Sequence, residues 1–84
     1  MTDVNAPAEN RELTFGMKAV GITFNPGGNP SVNAIKQKAA EYIDLLNELR
    51  ELTPNGEVKR QLSIAITEAQ TSQMWAVKGV TWQY

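Results

Sequence analysis

An all-α fold is what this 84-residue chain predicts: an antiparallel two-helix hairpin with an irregular N-terminal segment, assembled as a homo-oligomer. Three observations lead there. Apolar residues recur at spacings of three and four along two long stretches, the period of an amphipathic helix. Only a short "TPNGE" turn separates those stretches, which makes them antiparallel neighbours. Finally, the second stretch carries more apolar surface than a lone hairpin can cover, so copies must share it.

In chain order, residues 1–12, "MTDVNAPAENRE", are polar and contain Pro7, as expected of a flexible arm. They lack the basic flank and apolar block of a signal peptide, so an intracellular, cytoplasmic location is expected. Residues 13–30 mix Phe15, Val20, Ile22 and Phe24 with four glycines and show no sustained helical period. This segment reads as irregular or extended, packed on something else. Asn25-Pro26 and Gly27-Gly28 signal turns, and Asn29-Pro30-Ser31 signals a helix start: Asn29 or Ser31 can cap, and Pro30 suits the first turn.

The hairpin domain is expected over 31–82. Its first helix, about 31–52, has Val32, Ile35, Ala39, Tyr42, Ile43, Leu46 and Leu49 along one face. Pro54 interrupts the pattern, and Asn55-Gly56 is expected to turn the chain through positive φ. The second helix, about 57–80, carries Val58, Leu62, Ile66, Ala69, Gln73, Ala76, Val77 and Val80 in a broad stripe. Small residues Ala65, Ala69, Ser72, Ala76 and Gly79 form a ridge that a neighbouring helix can approach closely. Ile64, Met74 and Trp75 fall beside the stripe and would be left uncovered in a single copy.

Composition narrows the chemistry. With neither cysteine nor histidine, the chain has no disulfide, no thiol nucleophile and none of the commonest transition-metal ligands, so neither metal nor cofactor is expected. Self-association is the remaining way to steady so small a core. Eight basic against nine acidic residues give a net charge of −1, which argues against a duplex nucleic-acid binder but leaves a small anionic ligand open. No apolar run is long enough to span a membrane.

Glu41, Asp44, Glu48 and Glu51 share a face with Lys38 and Arg50, the pattern of a solvated helix surface rather than an acid–base pair. "NPGGNP" lacks the spacing of a phosphate loop. Catalysis is therefore not expected.

Binding has better candidates. Phe24 offers a flat face, either for a nucleobase or for packing in the core or an interface, beside glycine amides that precede a helix N-terminus. Lys36 lies on the flank of the apolar stripe, where its ammonium either turns to solvent or points into a crevice between hairpins. Arg60, one turn into the second helix, is disfavoured there by the helix dipole unless an anion compensates, and Glu57 three residues earlier can do so. Trp75 and Trp82 read as packing or interface residues, with base stacking as the other option.

"NAIKQKAAEYIDLL" and "KRQLSIAITEAQTSQMWAVKGVTWQ" resemble the helical hairpin of the phage anti-CBASS sponge proteins, which some phage anti-Thoeris proteins share. The second segment is the more specific. An Arg followed without gaps by a Ser-Ile pair, Thr, Gln, Met and a Val-basic pair is met by Arg60, Ser63, Ile64, Thr67, Gln70, Met74, Val77 and Lys78.

The resemblance implies a non-enzymatic trap for cyclic oligonucleotide second messengers, built as a hexamer of interlocked hairpins. It implies a cyclic-dinucleotide pocket between protomers using Lys36, and a separate cyclic-trinucleotide pocket near a three-fold axis using Arg60. The family's base-stacking tyrosine has no match here, since Gly21 stands at the equivalent distance from Lys36. Phe24 is the aromatic substitute that chemistry suggests. The alternative expectation is a small oligomeric structural or adaptor protein that binds a partner through Ile64, Met74 and Trp75.

Overall fold

The computed structural model describes residues 12–84; apart from Glu12, the arm expected over 1–12 lies outside them. Three helices follow in order: α1 (Phe15–Val20), α2 (Pro30–Leu52) and α3 (Gly56–Val80), with no strand among the described residues. The fold is all-helical, as expected. α2 is the central element, packed against both others, whereas α1 and α3 meet only marginally.

The first correction concerns 13–30, which is not wholly irregular. Thr14 caps α1 by accepting the Met17 N–H at 3.1 Å. The helix closes on Gly21 at φ 61°, with the Gly21 N–H donating to the Lys18 carbonyl and the Ile22 N–H to that of Met17. Those two bonds form a Schellman cap, and a left-handed residue at that position favours glycine. Gly16 lets α1 lie directly on α2: a Cβ there would overlap the Ala40 carbonyl oxygen. Its N–H donates to an Asp44 carboxylate oxygen at 2.6 Å. Asp44 therefore does more than solvate a face, since it anchors the start of α1.

Asn29 caps α2, its side-chain oxygen accepting from Ser31 N–H at 2.8 Å and Val32 N–H at 3.4 Å, with Pro30 in the first turn. The turn between α2 and α3 differs from expectation. Asn55 has φ −84° and is the N-cap of α3, accepting from Glu57 and Val58, and Gly56 is already helical. Among the described residues, positive φ occurs only at Gly21 and Gly28.

Because α2 serves a helix on each side, its buried arc is Val32, Lys36, Ala40, Ile43 and Leu46, rotated from the expected stripe. Tyr42 and Leu49 are about half exposed. The core joins Met17 and Val20 of α1, Ala40, Ile43 and Leu46 of α2, and Ile66 and Ala69 of α3, yet only Ile43 is completely enclosed.

The principal extents, 44 × 33 × 13 Å, explain why: the layer is one helix thick. A radius of gyration of 14.1 Å exceeds the roughly 12 Å of a compact domain of similar length. Ile64, Met74 and Trp75 are exposed, as the helical period predicts.

A candidate anion-binding cleft at one end of the hairpin

At the end opposite the α2–α3 turn, Lys36 is the organising residue. It is 5% exposed, neither turned to solvent nor on the flank, because α1 and its following turn close over that side of α2. Its ammonium donates to the Gly21 carbonyl at 2.9 Å and to the Phe24 carbonyl, and lies 5.5 Å from the centre of the Phe24 ring. Every oxygen it meets is neutral. Ion pairs among the described residues join Lys38 to Glu41 and Arg60 to Glu57, so Lys36 has no carboxylate partner there.

The loop over this lysine is cross-braced. Phe24 N–H donates to the Gly21 carbonyl at 2.9 Å, and Gly28 N–H to the Asn25 carbonyl at 3.0 Å. The Asn25 amide donates to the Asn29 carbonyl at 3.0 Å and to the Asn33 side chain at 2.8 Å. Held in this way, Phe24 remains 71% exposed. Such a ring is available for stacking instead of being consumed in the core.

Beside it opens a cleft of about 480 Å³, with Phe24, Val32 and Lys36 on one wall and Val77, Val80 and Trp82 on the other. That volume lies within the ~300–1,000 Å³ typical of small-ligand sites. The residues after α3 were missing from the sequence-based site. An antiparallel hairpin places the end of its second helix beside the start of its first, and that pairing was the signal available for Trp82.

Arg60 lies at the other end. The structure does not bring it to Lys36: Arg50, beside which α3 begins, is fourteen positions along α2, roughly 20 Å at 1.5 Å per residue. Arg60 is exposed and grips Glu57 with two bonds, Nε to Oε1 at 3.0 Å and Nη2 to Oε2 at 2.6 Å. Gln61 adds a third donor to that carboxylate at 2.8 Å. The Arg60 bond, then the Gln61 bond, hold the Glu57 carboxyl below its ordinary range, and Glu57 in turn raises Arg60. Glu57 is thus the compensating anion expected of it.

Arg50 lies nearby, donating to Ser63 Oγ at 2.9 Å and Asn47 Oδ1 at 2.8 Å, with its guanidinium 5.6 Å from the Phe15 ring. No group of metal-ligating side chains is present among the described residues, and no helix there is long and apolar enough to cross a membrane.

Another polar group stands out between α2 and α3. Gln73 is 7% exposed and lines a groove of about 360 Å³ with Ala39, Tyr42, Ala69, Ser72 and Ala76. None of the side-chain hydrogen bonds among the described residues involves its amide. A buried amide without a partner is destabilising, and a second surface laid on the groove would relieve it.

The described residues thus form a small all-helical hairpin with a preformed cleft beside a buried ammonium that has no carboxylate partner among them. The family model of the Acb2/Tad1 hairpin domain matches residues 17–81, and the chain belongs to that family. No curated protein and no solved structure matches it. The family is one of sponge-type anti-defence binding proteins rather than enzymes, and membership brings that role in general.

Proposed function

We propose that the protein sequesters cyclic oligonucleotide immune messengers in the host bacterial cytoplasm without turning them over, and so blocks CBASS-type signalling and, where its messenger fits, Thoeris signalling. Cyclic dinucleotides occupy the cleft of Lys36 and Phe24; cyclic trinucleotides are held at Arg60. The observation that carries this reading is Lys36, a buried ammonium solvated by two carbonyls and a ring, beside an exposed aromatic face. An arriving phosphodiester supplies the anion this site lacks. In a partly dehydrated cleft that attraction far exceeds its value in water.

The working form is an oligomer, a hexamer of hairpins. The one-helix-thick layer, the exposed Ile64, Met74 and Trp75, and the unpartnered Gln73 amide in its small-residue groove all support self-association.

Isothermal titration against a panel of cyclic di- and trinucleotides tests the reading, with chromatography of the ligand after heat denaturation of the complex. Stoichiometric heat and recovery of intact nucleotide are expected. Silence at micromolar concentrations across the panel rejects sequestration, and recovery of linearised nucleotide rejects the non-enzymatic mechanism.

A further inference from the structure

We infer that Trp82 is the second base-stacking wall of the Lys36 cleft and that Lys78 positions its indole; this rests on the nucleotide-binding reading above. α3 ends at Val80, and the Thr81 hydroxyl donates to the Val77 carbonyl at 2.8 Å while the Trp82 N–H donates to that of Gly79 at 3.3 Å. This closing turn sets Trp82 against the cleft rather than out along the helix axis. Trp82 remains 59% exposed, so it contributes little to the core.

It is nonetheless held. The Lys78 ammonium lies 5.7 Å from its ring and 4.9 Å from that of Trp75, and the Tyr84 ring meets it edge-on at 5.3 Å. An exposed aromatic ring braced by a cation and a second ring is ordered before any ligand arrives, which lowers the entropy lost on stacking.

The cleft thereby acquires a repeated pattern. Phe24 with Lys36 stands on one wall and Trp82, held by Lys78, on the other, and neither lysine has a carboxylate partner among the described residues. A cyclic dinucleotide repeats the same pair of features, a base and a monoanionic phosphodiester, twice. Phe24 and Trp82 each receive one base. Lys36 meets a phosphodiester directly; Lys78, outside the cleft lining, acts through the indole it holds.

Trp75→Phe leaves Trp82 as the sole tryptophan of the chain, so its emission reports on this wall alone. Titrating that variant with 3′,3′-cyclic GMP–AMP, the Trp82 emission should be quenched with the midpoint given by calorimetry. Trp82→Ala should weaken binding about ten- to hundredfold, the range for loss of one stacked base, and Trp82→Phe only a few-fold. Lys78→Gln in the Trp75→Phe background should shift the emission of the free protein and weaken binding, and Lys78→Arg should restore both.

Undiminished heat with unmoved Trp82 emission overturns the inference, as does wild-type affinity in Trp82→Ala. Wild-type emission and affinity in Lys78→Gln overturn the part assigned to Lys78. If Trp82→Ala disassembles the protein, the Trp75→Phe titration decides. Absence of heat from the unsubstituted protein defeats the nucleotide reading itself, and this inference with it.

Discussion

Each end of the hairpin carries a cation, and the two are treated in opposite ways. Lys36 is buried, fixed by backbone carbonyls and without a carboxylate partner among the described residues; Arg60 is exposed and already satisfied by Glu57. A buried unneutralised ammonium lowers the stability of the free protein and strengthens capture of an anion, because its desolvation has occurred before the ligand arrives. A paired surface arginine behaves conversely. It is comfortable when free, and an incoming phosphate must compete with Glu57 and with water. One end is preorganised and the other is exchangeable, so their substitutions should differ in kind as well as in size.

The largest effect should come from Gly16→Ala. The new Cβ overlaps the Ala40 carbonyl, so α1 must lift from α2, at a cost of about 3 kcal/mol, the upper range for overpacking. Because the turn after α1 supplies the Gly21 and Phe24 carbonyls, the Lys36 end should loosen while the Arg60 end stays intact. Urea denaturation measures the first, and calorimetry with cyclic di- and trinucleotides the second. Equal loss of both ligands would erase the distinction between the ends.

Next in size is Lys36→Met, which keeps the packed stem and removes only the charge. Loss of a charge-assisted hydrogen bond is worth about 2 kcal/mol, so cyclic-dinucleotide affinity should fall about thirtyfold with trinucleotide affinity and sedimentation unchanged. Arg60→Ala should reverse the ligand pattern.

A smaller change sharpens the contrast from the other side. Glu57→Gln releases Arg60 from its competitor, so trinucleotide binding should tighten a few-fold and become more sensitive to salt, while the Lys36 cleft is unaffected. An unchanged trinucleotide affinity would place that ligand away from Arg60.

Legibility in the sequence follows the same division. Arg60 and Glu57 sit three apart on one helix, so their pairing could be read from spacing alone, as could the caps at Asn29-Pro30 and the turn at Pro54. The environment of Lys36 could not. Read as an isolated helix, α2 centres its stripe on Ile35 and Ala39, and only the docking of α1 moves Lys36 and Ala40 inside. That docking was hidden because α1 is six residues long, too short for a period, and its marks are a lone threonine cap and a closing glycine. Phe24, which chemistry alone suggests as the aromatic, lines the cleft, whereas Trp82 reaches it through tertiary pairing between the two ends of the hairpin domain.

The smallest and most local test is the titration of Glu57. Bonds from Arg60 and Gln61 favour its ionised form, so its pKa in the folded protein lies below its ordinary value. The sign of the linkage follows: the pair's contribution to stability is complete above the ordinary glutamate pKa and is lost as pH falls through the lowered folded value. Solvent exposure of the pair keeps that contribution slight, so a carboxyl carbon shift followed by NMR is a better readout than a melting curve. In Arg60→Ala the midpoint should move back up toward the ordinary range but not reach it, since the Gln61 bond remains. Saturation with a cyclic trinucleotide should move it the same way, because a phosphate that takes Arg60 from Glu57 removes the larger of the two causes. A Glu57 midpoint unmoved by bound trinucleotide would mean that Arg60 keeps its carboxylate and that the exchangeable end of the hairpin is not where that ligand binds.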